Sequence, residues 1–384
     1  MGDSRVRVAH VITRMIVGGA QETVLLAAAL ADRSRFEPLV VCGPQTGSEG
    51  SLHEEVRRRG VELVVVPELV RQVSPVHDVR AVRALARLLR GRSVDLMHTN
   101  SSKAGIVGRL AARRAGVPAV HTVHGWPFHQ HQSLAASTVW RGLERRSAPL
   151  ARRLVVVADA DRVKGLAAGV GRPEQYVTIR SGLELDGYGA DAVARAAVRA
   201  ELGIPTAAPV VGAVNRLSTQ KDPLTLMETF GQVAAALPEA HFVIAGDGPL
   251  RAAVEQRALD LGLTSRLHVL GLRDDVPRLL SSYDVFVSTS RWEGLPRTVL
   301  AAMASGVPVV ATPVDGIVDV VTDGETGLLA PVARPTELGD AVVRVLSDPV
   351  LRASLVGAGA ARVKAFGAAE MIRSLEQLYA EVLS

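Results

Sequence analysis

Pro209-Val210-Val211-Gly212-Ala213-Val214-Asn215-Arg216-Leu217-Ser218-Thr219-Gln220-Lys221-Asp222-Pro223-Leu224-Thr225-Leu226-Met227-Glu228-Thr229-Phe230 holds a complete strand–loop–helix unit. Val210–Val214 is a short, continuously apolar run, the pattern of a strand buried on both faces. A loop carrying two cations follows. Asp222 suits an N-cap and Pro223 a first helical turn, because the N–H that proline lacks is one a helix start leaves unbonded anyway. The helix is expected to run to Ala235.

The same unit recurs on both sides. Upstream, Val6–Ile12, Pro38–Cys42, Val61–Val66, Val94–His98, Ala119–Val123 and Leu154–Val157 read as strands, separated by helices such as Ala20–Asp32 and Val79–Leu89. Downstream, His241–Ala245, Leu267–Leu270, Val285–Ser288 and Val307–Ala311 read as strands, with a helix over Leu250–Leu261. Alternation of this kind implies parallel sheets with helices on both faces. A turn-rich stretch, Ser181–Pro209, holds a short helix, Ala190–Leu202, and a last helix spans Ala368–Leu383. The fold class is therefore α/β, with two Rossmann-like, doubly wound parallel-sheet domains. The expected division is 1–185, 186–367 and the terminal helix 368–384. Ligands of open parallel sheets sit beyond the carboxyl ends of the strands, so the chemistry is expected in the loops that follow strands, where two such sheets face each other across a cleft.

Composition narrows the classes. The chain has 384 residues, 48% of them hydrophobic, which is enough for two full cores and excludes disorder. A single cysteine, Cys42, excludes an internal disulfide or a cysteine cluster, and its place after Leu39-Val40-Val41 reads as a buried strand position. Aromatic residues make up 3%, which argues against a stacking platform for single-stranded nucleic acid. The longest clean apolar run, Val24–Ala31, is far shorter than a membrane span. The opening residues lack a secretory apolar region, and Val6 breaks the myristoylation pattern, so a soluble, cytoplasmic protein is expected.

Charge is uneven. Residues 1–180 hold 27 Lys and Arg against 15 Asp and Glu, net +12, whereas 181–384 hold 17 against 24, net −7. The first half should attract anions. Arg80, Arg83, Arg87 and Arg90 lie along one predicted helix, as a contact for anions or as a solvated face.

Three loops suit a diphosphate. Gly18-Gly19 opens a helix after the first strand, either as backbone amides offered to an anion or as a tight turn. Arg216 and Lys221, both expected at the surface, combine a planar fork with a point charge. Ser290-Arg291-Trp292-Glu293-Gly294-Leu295-Pro296-Arg297-Thr298 enters a helix at Pro296 or Arg297, with Leu295 and Thr298 able to offer amides and Glu293 a carboxylate for sugar hydroxyls. Gly246-Asp247-Gly248-Pro249 reads as a strand-to-helix turn. The histidine-dense run Val120 to His131 reads less as a metal site than as one functional histidine, His124, at a strand end before Gly125. Asp159-Ala160-Asp161 has the look of a metal–nucleotide pair, but N-capping by Asp159 explains it better.

In order and spacing these pieces resemble the family 4 glycosyltransferases of GT-B fold. They comprise Gly18-Gly19-Ala20, Ser102-Lys103-Ala104-Gly105 through His124-Gly125, and Arg216 with Lys221. Gly246 to Pro249, Glu293-Gly294-Leu295-Pro296 through Thr312, and Asp323-Gly324-Glu325-Thr326-Gly327-Leu328-Leu329 complete the series. The resemblance implies transfer of a hexose-type sugar from a nucleotide diphosphosugar, UDP-linked, to a hydroxyl acceptor. It also implies retained anomeric configuration, no metal and no cofactor beyond the donor. Such a reaction belongs to polysaccharide, glycolipid or natural-product glycoside synthesis. By the same resemblance Gly18, Gly19, Arg216 and Lys221 hold the diphosphate, assisted by Gly294, Leu295, Pro296 and Thr298. His124 contacts the donor sugar, Glu293 holds its hydroxyls, Leu272-Arg273 meets the base, and the last helix crosses back to the first domain. One departure stands out: the family's second glutamate, eight residues after the first, is replaced by Ala301, which removes a ribose anchor. A phosphate-bearing or lipid-linked acceptor and docking on an anionic membrane fit the basic first half, and no nucleic-acid partner is expected. A nucleotide-sugar epimerase of the same architecture and a non-catalytic relative are the competing readings.

Overall fold

A computed structural model describes residues 5–46, 50–128 and 132–384. The chain divides into two compact units, Met1–Gly182 with Ala368–Ser384, and Leu183–Gly367.

The first unit holds β1 (Val6–Ile12), β2 (Phe36–Cys42), β3 (Glu62–Val65), β4 (Leu96–Asn100), β5 (Ala119–Val123), β6 (Arg153–Val156) and β7 (Tyr176–Thr178). They form one parallel sheet in the order β3-β2-β1-β4-β5-β6-β7. The second unit holds β8 (Val210–Val214), β9 (His241–Ala245), β10 (Leu267–Val269), β11 (Val285–Ser288), β12 (Val309–Ala311) and β13 (Leu328–Leu329), in the order β10-β9-β8-β11-β12-β13. Both are doubly wound sheets, and both reverse direction between their first and fourth strands. That crevice, β1/β4 in one unit and β8/β11 in the other, is where such sheets receive ligands.

Alternation along each strand explains why each sheet packs apolar side chains on both faces. Ala9 and Val11 pack with Leu85, Leu89 and Ala111, while Val8 packs on the other face with Leu26, Met371 and Leu375. Val211 and Ala213 pack with Leu226, Phe230 and Leu338, while Val210 and Val214 pack with Leu300, Ala302 and Phe366. The last helix, Ala368–Leu383, lies on the first sheet, as expected, through Met371, Ile372, Leu375, Leu378 and Tyr379.

Sequence patterning misses β7 and β13, which have three and two residues and carry too little alternation to register. β4 is read as Val94–His98 but runs from Leu96 to Asn100. Thr99 and Asn100 break the apolar run yet are buried. That shift of two residues places Asn100 at the mouth of the first crevice.

Candidate active site

In the second unit the loop after β8 rests on the turn after β9. Leu217 N donates to Asp247 O at 3.0 Å, and Leu250 N donates to Leu217 O at 3.0 Å. Gly246 has φ +141°, and a Cβ there would lie 1.8 Å from Asn215 O, so only glycine permits this stacking. The Gly246–Pro249 turn is thus a pedestal for the cationic loop. Above it Asp222 caps the helix Pro223–Ala236 through Thr225 N and Thr225 Oγ1, the latter at 2.7 Å.

The loop after β11 is bonded directly to the loop after β8. Arg291 Nε meets Asp222 Oδ2 at 2.8 Å, Gln220 Nε2 donates to Trp292 O at 3.0 Å, and Thr289 Oγ1 donates to Lys221 O at 2.9 Å. Lys221 Nζ pairs with Glu293 Oε1, the same oxygen that accepts from Ser290 Oγ at 2.6 Å. Glu293 N donates to Asp315 Oδ2 at 2.9 Å, a contact no sequence signal announces because Asp315 is distant and its loop has no pattern. Arg216 is exposed, as expected. Lys221 is not: its side chain is 20% exposed and paired with a carboxylate that is 6% exposed. The expectation of two surface cations is therefore corrected for Lys221, because the strand β11 loop folds over it.

Gly294, Leu295, Pro296 and Thr298 lie at the start of the helix Arg297–Ala304, which Pro296 caps. First-turn amides of a helix lack intrahelical acceptors and carry the positive end of its dipole. Ala301 lies on this helix, 3% exposed, inside the apolar cluster with Leu300 and Ala302. A glutamate introduced here would have its first side-chain carbons in that apolar cluster. Leu272 and Arg273 follow β10, two strands from β8, which is about 10 Å at ordinary strand spacing. Leu272 is exposed, whereas Arg273 is clamped by both Asp275 oxygens at 2.7 Å and reaches Glu201 at 3.5 Å.

In the first unit Gly18 and Gly19 begin the helix Gly19–Ala29 after β1. The loop after β1 is tied to the one after β4 by Thr13 Oγ1 and Ser101 Oγ at 3.1 Å. His124 follows β5, half-buried, with Nε2 at 2.9 Å from Asn100 Oδ1. The other strand histidines are interior. His98 lies between Tyr379 Oη at 2.5 Å and Thr122 Oγ1 at 2.6 Å, and His121 faces the opposite side of the sheet, against Thr99 Oγ1 at 3.0 Å. Burial holds both well below the usual histidine pKa, helped by His10 at His98 and by Arg109 at His121, so both are neutral. His129, Gln130 and His131 lie outside the described residues. Among the described residues no group of three or more His, Cys, Asp and Glu side chains is arranged to hold a metal. Asp159 is the first helical residue rather than the N-cap, which is Ala158. Its carboxylate instead accepts from Thr178 Oγ1 at 2.7 Å and pairs with Arg180 at 3.0 Å, correcting the capping expectation.

Known proteins resemble this chain in sequence and in fold. Residues 208–348 match the glycosyl transferases group 1 family and residues 17–182 the glycosyl transferase 4-like domain. The Escherichia coli UDP-Gal:alpha-D-GlcNAc-diphosphoundecaprenol alpha-1,3-galactosyltransferase is 30% identical over 385 residues, covering 99% of this chain and 98% of the relative. The alpha-D-kanosaminyltransferase of Streptomyces kanamyceticus is 30% identical over 68% of this chain and 70% of its own. Anabaena HepE, solved in complex with UDP and glucose, superposes with a TM-score of 0.84 at 22% identity, over 98% of this chain and 100% of that one. The chain belongs to the family 4 glycosyltransferases of GT-B fold, and its activity is glycosyl transfer.

Proposed function

We propose that this glycosyltransferase moves a hexose-type sugar from a UDP-linked donor to a hydroxyl acceptor, with retention of anomeric configuration and without a metal ion. The observation that carries the reading is the gathering of Arg216, Lys221 and the Arg297–Ala304 helix start around the β8/β11 crevice. Negative charge grows on the β-phosphate as UDP leaves, and fixed cations and helix amides stabilise that charge more in the transition state than before it. As the bond from the anomeric carbon to the phosphate oxygen breaks, the acceptor oxygen bonds to that carbon on the same face. The acceptor's proton passes to the departing phosphate oxygen. Glu293 accepts hydrogen bonds from donor hydroxyls, held in place by Lys221 and Ser290. Gly18 and Gly19 approach the diphosphate, His124 acts on the donor sugar, and the Leu272-Arg273 segment meets the base. Uracil specificity is supported by the named donor of the E. coli relative and by the UDP held by HepE.

The same relative's acceptor is a diphosphate-linked lipid carrying a sugar, which supports a lipid-linked or phosphate-bearing acceptor here. No helix among the described residues is long and apolar enough to cross a membrane. Access to such an acceptor then runs through peripheral docking at the cytoplasmic surface. The exposed Arg80, Arg83, Arg87 and Arg90 of the helix Pro75–Gly91 supply attraction to anionic lipid. The product falls in polysaccharide, glycolipid or natural-product glycoside synthesis, the last represented by the kanosaminyltransferase.

The test is transfer by purified protein from a panel of UDP-hexoses to lipid-diphosphate-linked sugars, with and without EDTA. Transfer that survives EDTA and keeps the donor's anomeric configuration supports the reading. An inverted product or a complete metal requirement contradicts it, and isomerised donor in the absence of any acceptor would point to an epimerase.

A further inference from the structure

His124 is held by a residue that the sequence pattern places in a loop. Asn100 ends β4, is 2% exposed, and is paired in register with Thr122 of β5. Its Nδ2 donates to the His98 carbonyl at 3.3 Å, which turns Oδ1 toward the ring of His124 at 2.9 Å. A carbonyl oxygen only accepts, so His124 Nε2 must carry a proton. In the neutral ring the lone pair then lies on Nδ1, and a sugar hydroxyl that donates to this ring has Nδ1 as its acceptor.

The surroundings explain why the partner is an amide. Asn100 shares its face of the sheet with His98, and His10 lies beside it with ring centroids 5.4 Å apart. Burial holds His10 at about 4 and His98 well below the ordinary value, so both are neutral. A carboxylate at position 100 would add a buried charge beside them, whereas an amide oxygen orients His124 without one. The backing is rigid. His98 is fixed between Thr122 and Tyr379, and Tyr379 comes from the last helix.

We propose that Asn100 is a positioning residue for transfer, fixing the orientation of His124 and its Nε2–H tautomer. This rests on the reading of His124 as the residue that acts on the donor sugar. Misplacement of a group by about 1 Å costs up to about 10²-fold in rate. Asn100→Ala is therefore expected to lower kcat by about 10- to 100-fold while UDP affinity changes by less than about threefold. Asn100→Asp keeps an acceptor at the same place and is expected to recover part of that loss in rate, while its buried carboxylate lowers the melting temperature below that of the wild type.

Nitrogen-15 NMR of histidine-labelled protein above pH 8 reads the tautomer directly. Wild type is expected to show His124 as Nε2–H, Asn100→Asp to keep it, and Asn100→Ala to show both tautomers. An Nδ1–H ring in the wild type overturns the proposal without any variant. So does a single unchanged tautomer in Asn100→Ala, and that result leaves the donor reading intact. If the tautomer is released in Asn100→Ala but both this variant and His124→Ala transfer sugar at the wild-type rate, the assignment of His124 falls and takes the proposal with it.

Discussion

The two crevices share a topology and differ in chemistry. At β8/β11 the loops are joined by charge: Lys221 to Glu293, Arg291 to Asp222, with Arg216 beside them. At β1/β4 the contacts of the strand ends are neutral, Thr13 to Ser101, Asn100 to His124 and His98 to Thr122, while the charged Arg14 and Lys103 of these loops bond elsewhere, to Thr46 O and Asp78. A parallel sheet supplies the same crevice both times, and the loop sequences decide what it does. The charged crevice suits a leaving diphosphate. The neutral one suits orientation of a reacting group, where a surplus charge would be costly to bury.

Breaking the charged crevice should have the largest effect. Arg216→Ala and Lys221→Ala are each expected to lower kcat/KM by about 10²-fold or more, because each acts on charge that develops in the transition state. Steady-state assays with UDP-sugar donor check this. The two should part in thermal unfolding. Arg216 is exposed, and its loss is expected to cost less than about 1 kcal/mol. Lys221→Ala strands the Glu293 carboxylate, 6% exposed, and is expected to cost about 1–3 kcal/mol. Equal melting temperatures for the two variants would contradict the pairing.

Breaking the neutral crevice should affect rate and spare nucleotide binding. His124→Ala is expected to reduce turnover at saturating donor by about 10²-fold or less, with UDP affinity unchanged by calorimetry. Collapse of UDP affinity with turnover preserved would reverse the roles of the two crevices.

The comparison also shows what sequence could deliver. The strand–helix alternation, the cationic loop and the helix start at Arg297 were legible because each is local. In sequence Lys221 reads as a surface cation because its partner, Glu293, is 72 residues away. Asn100 escaped because a polar strand end has no apolar period to mark it. Ala301 was recognised as a departure, but its burial depends on packing of the whole helix against the core, which no spacing rule gives.

Ala301 yields a smaller, structural test. Ala301→Glu places a carboxylate in the apolar cluster of the second unit and is expected to lower stability by about 3 kcal/mol or more, without tighter UDP binding. Tighter binding in a well-folded variant would restore the ribose contact to this position.

Acid should act more gently, and first on the neutral crevice. His10 is buried with its pKa lowered to about 4 from 6.5, and His98 and His121 are also lowered. These groups bind protons more readily when unfolded, so their contribution to stability is whole above the unfolded value and shrinks as pH falls from about 6.5 toward 4. Amide exchange followed across that window should show β1, β4 and β5 losing protection before β8 and β11. The reverse order would place the acid-sensitive core in the second unit.

In the proposed reaction the β8/β11 crevice binds the diphosphate of a UDP-sugar. Calorimetric titration of wild type and Arg216→Ala with UDP, GDP and ADP tests it most directly. Wild type is expected to bind UDP in preference to the other two without added metal, and Arg216→Ala to bind it at least about tenfold more weakly, the loss of one charge-assisted contact. Failure of the wild type to bind any of the three, or equal UDP affinity in both proteins, would contradict this role of the crevice.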